Sequence, residues 1–139
     1  MPTLEMRMHR YAWWGALTTL ALMGTACGDP CGDAEDRLVP LTELPCSTTN
    51  AGVWESHPFP PIADEQCYWL EFRGCSKYEI EHSLGQVPTL IVGYTSFDAD
   101  GSFSTVSSGN SFVVEEANDS TVTVRNAQNA VFYLRLALE

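Results

Sequence analysis

Basic residues are scarce in this chain: seven Lys and Arg stand against eighteen Asp and Glu, a formal net charge of −11. No Lys/Arg cluster offsets that balance, so the surface repels nucleic-acid phosphates, and a nucleic-acid partner is not expected. Docking on anionic lipid through a basic patch is disfavoured for the same reason. The uncharged stretch Tyr11 to Ala26 holds Thr18, Thr19 and Thr25 and falls short of the ~20 apolar residues that a spanning helix needs. Gly-x-Ser-x-Gly, His-Glu-x-x-His and a Gly-rich phosphate loop are all missing, which argues against the recognisable hydrolase, zinc-protease and nucleotide-binding classes. No Cys-x-x-Cys pair occurs, and His57 and His82 lack ligand-like spacing, so neither a metal nor another cofactor is implied. A sustained helical period is also lacking in the Pro-rich stretch that ends at Pro61.

What is present begins with an address. Arg7 and Arg10 precede the uncharged run, which ends in Met23-Gly24-Thr25-Ala26-Cys27. Basic residues, an apolar stretch and small residues before a break are the parts of a secretory signal. With Cys27 directly after the small residues, Gly24 to Cys27 resembles the lipobox of bacterial lipoproteins. Gly24 stands where such signals usually carry a large aliphatic residue. The resemblance implies cleavage before Cys27, a thioether lipid on its sulfur, an acylated new N-terminus and a location in the cell envelope. An ordinary secretory signal cleaved after Ala26 is the other reading. The expected organisation is a signal at 1–26, a lipid-anchored tether and Pro/Cys-rich arm at 27–65, and a β domain at 66–139.

Five cysteines are an odd number for an exported chain. Assigning Cys27 to lipid leaves Cys31, Cys46, Cys67 and Cys75, which outside the cytoplasm form two disulfides. If the chain runs extended from Cys67, eight steps place the Cα atom of Cys75 roughly 25 Å away. A disulfide needs Cα atoms about 4.4–6.8 Å apart. Cys31 and Cys46 are therefore expected to pair with Cys67 and Cys75, in either order, fastening the arm to the body.

Six of the eight prolines lie between Pro30 and Pro61, and His57-Pro58-Phe59-Pro60-Pro61 must be extended or turning. Further on the pattern becomes short strands. Tyr78, Ile80 and His82 alternate with Lys77, Glu79 and Glu81, the period of a half-buried strand. Leu90-Ile91-Val92 opens an apolar strand reaching Phe97, and Asp98-Ala99-Asp100-Gly101 reads as a hairpin turn. Phe112 and Val114, then Val122 and Val124, then Phe132, Leu134, Leu136 and Leu138 supply three more inward faces, with Asn118-Asp119-Ser120 as a turn. The fold class is all-β: a small antiparallel β-sandwich or barrel-like domain with a disulfide-pinned irregular arm.

Residues 79–138 carry a further likeness. Glu79-Ile80-Glu81-His82-Ser83-Leu84-Gly85-Gln86-Val87-Pro88 and the aliphatic run after it, the turn Asp98 to Gly101, and Asp119 to Val124 resemble modules of bacteriophage tail-fibre and minor structural proteins. The usual Gly before the last strand is absent at Asn129-Ala130. The resemblance implies a sandwich used for assembly or surface recognition without catalysis, and transfers no binding residue.

No catalytic residue is assigned. His82 closes an apolar face before Leu84-Gly85, and a ring nitrogen there can bond the turn backbone. His57 reads as an exposed loop residue, and Asp98 and Asp100 as turn formers, because the calcium-loop pattern fails after Gly101. Glu71, Glu79 and Glu81 read as ordinary exposed charge. Two functions are open: a non-catalytic envelope assembly or protein-interaction module, or a glycan-binding module using Trp54 and Trp69 as ligand-contact aromatics. Exposed indoles would favour the glycan; buried indoles with an open apolar patch or sheet edge would favour the protein partner.

Overall fold

The computed structural model describes residues 31–32 and 34–139. Cys27 and the signal assigned to residues 1–26 lie outside the described residues. Ten strands succeed one another in chain order: β1 (Glu35–Val39), β2 (Thr48–Asn50), β3 (Val53–Glu55), β4 (Leu70–Phe72), β5 (Ser76–Glu81), β6 (Ile91–Ser96), β7 (Thr105–Ser107), β8 (Val113–Ala117), β9 (Thr121–Asn126) and β10 (Phe132–Leu138). Among the described residues the only helical pieces are three single 3₁₀ turns, at Leu41–Glu43, Glu65–Cys67 and Gly109–Ser111.

The strands form two sheets. The first has the order β1-β5-β9-β8; the second runs β2-β3-β10-β6-β7, with β4 also paired to β10. Alternation decides the inner faces. Tyr78 and Ile80 of β5 and Val122 and Val124 of β9 meet Leu134, Leu136 and Leu138 of β10, and Trp54, Phe72 and Phe112 complete one buried cluster. Gly93 of β6 makes room for the Phe112 ring, since a Cβ there would lie 2.7 Å from it. All pairs are antiparallel except β1 with β5, which run parallel.

The spine of the second sheet is β10. One edge pairs with β6 throughout; the other pairs first with β4 at Phe132–Leu134 and then with β3 at Ala137 and Leu138. Between those two partners the ladder would break at Leu136. Ser56 closes the gap: its N–H donates to the Leu136 carbonyl at 3.0 Å, and its hydroxyl accepts the Leu136 N–H at 2.8 Å. The chain then leaves the sheet and crosses its outer face as the Pro-rich arm.

Both bridges join the N-terminal region to the body. Cys31 pairs with Cys75 and Cys46 with Cys67, with Cα separations of 4.8 and 5.3 Å. On loop-closure entropy each is worth about 3–4 kcal/mol.

Three expectations need correction. The arm at 27–65 is not wholly irregular: it supplies β1, β2 and β3, so the sandwich begins well before residue 66. These strands escaped notice because Glu35-Asp36-Arg37 lies on a charged edge and β2 and β3 are three residues each. Val114 is exposed, since a bulge between Val114 and Glu116 breaks the alternation of β8. The apolar strand ends at Ser96, one residue short, and Phe97 points into solvent.

Candidate functional site

The hairpin of β6 and β7 builds the most distinctive surface of the molecule. Thr95 and Ser96 replace aliphatic residues as β6 leaves the core, and the Ser96 hydroxyl shapes the loop beyond it. Ser96 donates to the Ser102 carbonyl at 2.5 Å and accepts the Asp98 N–H at 3.0 Å, cinching the loop. Gly101 donates its N–H to Asp98 O at 3.0 Å with a φ of +74°, a conformation open to glycine without strain. Asp100 accepts from the Ser102 N–H at 2.9 Å, and that bond to the charged form holds its carboxyl below the usual range. The two aspartates are turn formers, as their sequence context predicts.

This loop presents Phe103 to solvent. Its side chain is 98% exposed, and its own φ of +54° lies in the left-handed region that side chains rarely occupy. Phe97 is 78% and Val106 62% exposed beside it. Together with Phe132 they border a cleft of about 400 Å³ at the open end of the sandwich. A hydroxyl chain runs along its wall: Thr95 Oγ1 donates to Ser107 Oγ at 3.1 Å, Ser107 and Ser111 hydroxyls share a bond of 2.8 Å, and Ser111 donates to the Ser108 carbonyl. Gln128 enters from the loop before β10, where its N–H is held by Asn126 at 3.0 Å. Among the described residues no ionisable side chain lines this cleft, in a chain whose net charge is −11.

Trp54 and Trp69 are not part of any such surface. Trp54 lies in β3, facing inward opposite Leu138, with none of its surface exposed. Its position in a strand of the core sheet, not in a loop, removes it from solvent. Trp69 is 3% exposed and works as a clamp: its N–H donates to Ala99 O at 2.8 Å and its Nε1–H to Pro58 O at 3.0 Å. The ring fills the space a Cβ on Gly101 would need, 2.5 Å away. Trp69 thus fixes the hairpin loop to the arm from behind.

The arm itself covers the outer face of the second sheet. Beneath it Arg135, fully buried, donates from Nε to the His57 carbonyl at 2.8 Å and pairs through Nη2 with the Glu55 carboxylate. Its guanidinium lies 3.7 Å from the Phe59 ring centre and 5.2 Å from that of Tyr94. Such stacking suits the weakly hydrated guanidinium. His57 is buried here, 3% exposed, contrary to its expected place in an open loop. The cause is the arm folding down upon Arg135. Burial, and then the Arg135 charge, push its imidazole down to about 4. Ser56 and His57 are 2.9 Å apart, but the Ser56 hydroxyl is buried and already accepts the Leu136 N–H. The Ser56 hydroxyl thus serves the ladder, with no access for a substrate.

His82 behaves as its sequence position predicts. Nδ1 accepts the Leu84 N–H at 3.3 Å and Nε2–H donates to the Asn118 carbonyl at 3.2 Å. Burial lowers its pKa, and the two bonds fix one neutral tautomer that ties the Leu84-Gly85 turn to the β8–β9 hairpin. Glu71 and Glu79 are exposed, while Glu81 accepts the Leu41 N–H at 3.0 Å. A second hollow, about 350 Å³, lies on the outer face of the first sheet; of its lining charges Lys77 pairs with Asp36 at 3.1 Å, and Glu115 pairs at 2.6 Å with Arg125 beside it. Among the described residues no group of three His, Cys, Asp or Glu is placed to hold a metal ion, and no helix is long and apolar enough to cross a membrane.

Phe97, Phe103, Val106 and the hydroxyl chain were not singled out by the sequence. The available signal was Gly101-Ser102-Phe103-Ser104, an aromatic residue set in a polar turn with no apolar neighbour to pack against. No protein-family model, curated protein or solved structure matches the chain.

Proposed function

We propose that this is an exported protein held at a membrane of the cell envelope by lipid on Cys27, and that its sandwich is a non-catalytic module that binds a protein partner. The observation that carries the reading is Phe103, an almost fully exposed aromatic residue held at positive φ beside an exposed Phe97. Backbone strain and a large exposed apolar group each cost stability in a free monomer, and both are retained at one place. The absence of ionisable groups from the cleft supports binding over chemistry. The tail-module resemblance of residues 79–138 points the same way, toward assembly or surface recognition. The glycan reading placed a sugar on Trp54 or Trp69, and both indoles are buried.

The test is a photo-crosslinking residue introduced at Phe103 in cells, compared with one at Glu79 on the exposed face of the other sheet. The expected result is a discrete protein adduct from position 103 that disappears when Phe97→Ser is added. Identical adducts from both positions, or none from 103, would overturn the reading.

A further inference from the structure

Among the described residues the two sheets end in five edge strands, and unpaired edge backbone invites another strand. Three of the five carry charge, beginning with β4, whose Glu71 pairs with Arg73. The β1 edge carries Glu35, Asp36 and Arg37 in succession. The β8 edge has Glu115 and Glu116 together with its bulge. At the β2 edge, Thr49 is tied to Ser83 of the neighbouring turn by a 3.0 Å hydroxyl bond. Among the described residues β2 and β7 are the edges with neither charge nor bulge. Of the two, β7, Thr105-Val106-Ser107, is the one that borders the cleft; it pairs with β6 alone, and its Ser107 hydroxyl is bonded to Thr95 and Ser111.

Every second residue of such a strand turns its N–H and C=O away from its single neighbour. The cleft beside it, which Phe97 and Phe103 flank, holds hydroxyls and aromatic faces. In a chain of net charge −11, the wall of this cleft offers, among the described residues, no ionisable side chain to pair with a charged segment.

We propose that an extended, uncharged segment of a partner protein adds to β7 as a further strand and seats an apolar side chain in the adjoining cleft. This rests on the proposed function and specifies its partner. A strand edge with a partner on one side only calls for a polypeptide backbone, which can pair along it; the alternating side chains of that strand would reach the cleft from one face only. A short edge of three residues gives few ladder bonds, so the apolar side chain must contribute much of the affinity.

The test uses the disulfide-bonded full chain, purified in detergent, and a library of random linear dodecapeptides. Selection is expected to enrich peptides free of Asp, Glu, Lys and Arg over a central stretch with aromatic or aliphatic residues at alternate positions. A saturating selected peptide should slow hydrogen exchange of the β7 amides at least tenfold and leave those of β1 and β8 unchanged. Phe97→Ser with Phe103→Ser should weaken the peptide at least tenfold. Failure to enrich linear peptides, enrichment of charged ones, or binding that leaves β7 exchange unaltered would overturn the inference. So would saturable binding of neutral chitohexaose in the cleft with no peptide selected. If position 103 still crosslinks a protein partner in those cases, the proposed function stands and the added strand alone is wrong.

Discussion

Acidification should loosen this protein through His57. Its imidazole is held down to about 4 by burial and by Arg135, whereas the unfolded chain has the ordinary value of 6.5. Above pH 6.5 both states are neutral and the group contributes nothing. As pH falls below 6.5 the unfolded chain takes up a proton that the folded chain refuses, so stability declines until the folded pKa is reached. The full gap corresponds to about 3 kcal/mol, of which about 2 is already lost at about pH 5. Against the roughly 5–15 kcal/mol of a typical domain that is a large share. Structurally, a proton on His57 would set an imidazolium beside a guanidinium whose Nη1 has no hydrogen-bond partner. The measurement is urea unfolding at pH 7.5 and pH 5.0 for the wild type and for His57→Gln, whose amide can accept from the Ser56 hydroxyl but does not titrate. His82 is displaced in the same direction, but it is present in both proteins and cancels in the comparison. Asp100, held low, acts only below the window. The wild type should lose about 2 kcal/mol more than the variant between the two pH values. Equal losses would refute the argument, and would mean that the arm opens readily enough for His57 to titrate as if exposed.

Particular contacts and residues support three further predictions. Replacing His82 by Ala removes the bonds to Leu84 and Asn118 and should cost on the order of 1–3 kcal/mol by denaturant unfolding, while peptide binding at β7 survives wherever the variant is folded. Non-reducing peptide mapping should recover Cys31 linked to Cys75 and Cys46 linked to Cys67, and Cys46→Ser with Cys67→Ser should lose about 3 kcal/mol; a Cys67–Cys75 peptide would contradict the fold. Cys27→Ala should move the protein from the detergent-extracted membrane fraction to an unprocessed or soluble form, because stable anchoring takes more than one acyl chain; wild-type protein found soluble, with no lipid on Cys27 by mass spectrometry, would count against the anchor.

The second half of the sandwich was readable because burial imposes a period of two. Tyr78-Ile80-His82, Val122-Val124 and Phe132-Leu134-Leu136-Leu138 all face inward as their alternation predicts. The disulfide partners were restricted by chain geometry alone, and the turn at Asn118 by its side chain, which accepts the Ser120 and Thr121 N–H groups. What could not be read was long-range. Nothing local in Glu35-Asp36-Arg37 says that it lies parallel to β5, about 40 residues on, and nothing in His57-Pro58-Phe59 says that a buried arginine waits beneath it. Trp54 and Trp69 misled for a related reason: indole hydrophobicity gives burial or recognition equally well until the sheets are assembled. The cleft depends on which apolar residues find no partner, and that is a property of the finished packing.

The position of β10 governs when the fold can form. It comes after β3, β4 and β6 in the chain yet is the strand that joins all three, so before residues 132–138 have been synthesised the second sheet has only the separate hairpins β2–β3 and β6–β7. Contacts of such sequence separation slow folding, because loop-closure entropy is spent before they form. If the chain is exported, as proposed above, and crosses a membrane as an unfolded thread, that delay is useful. Until β9 is made, β5 has only β1 to pair with, so neither sheet can be completed early. On that proposed route completion would coincide with arrival on the far side, where Cys31, Cys46, Cys67 and Cys75 would meet an oxidising environment and close the two bridges.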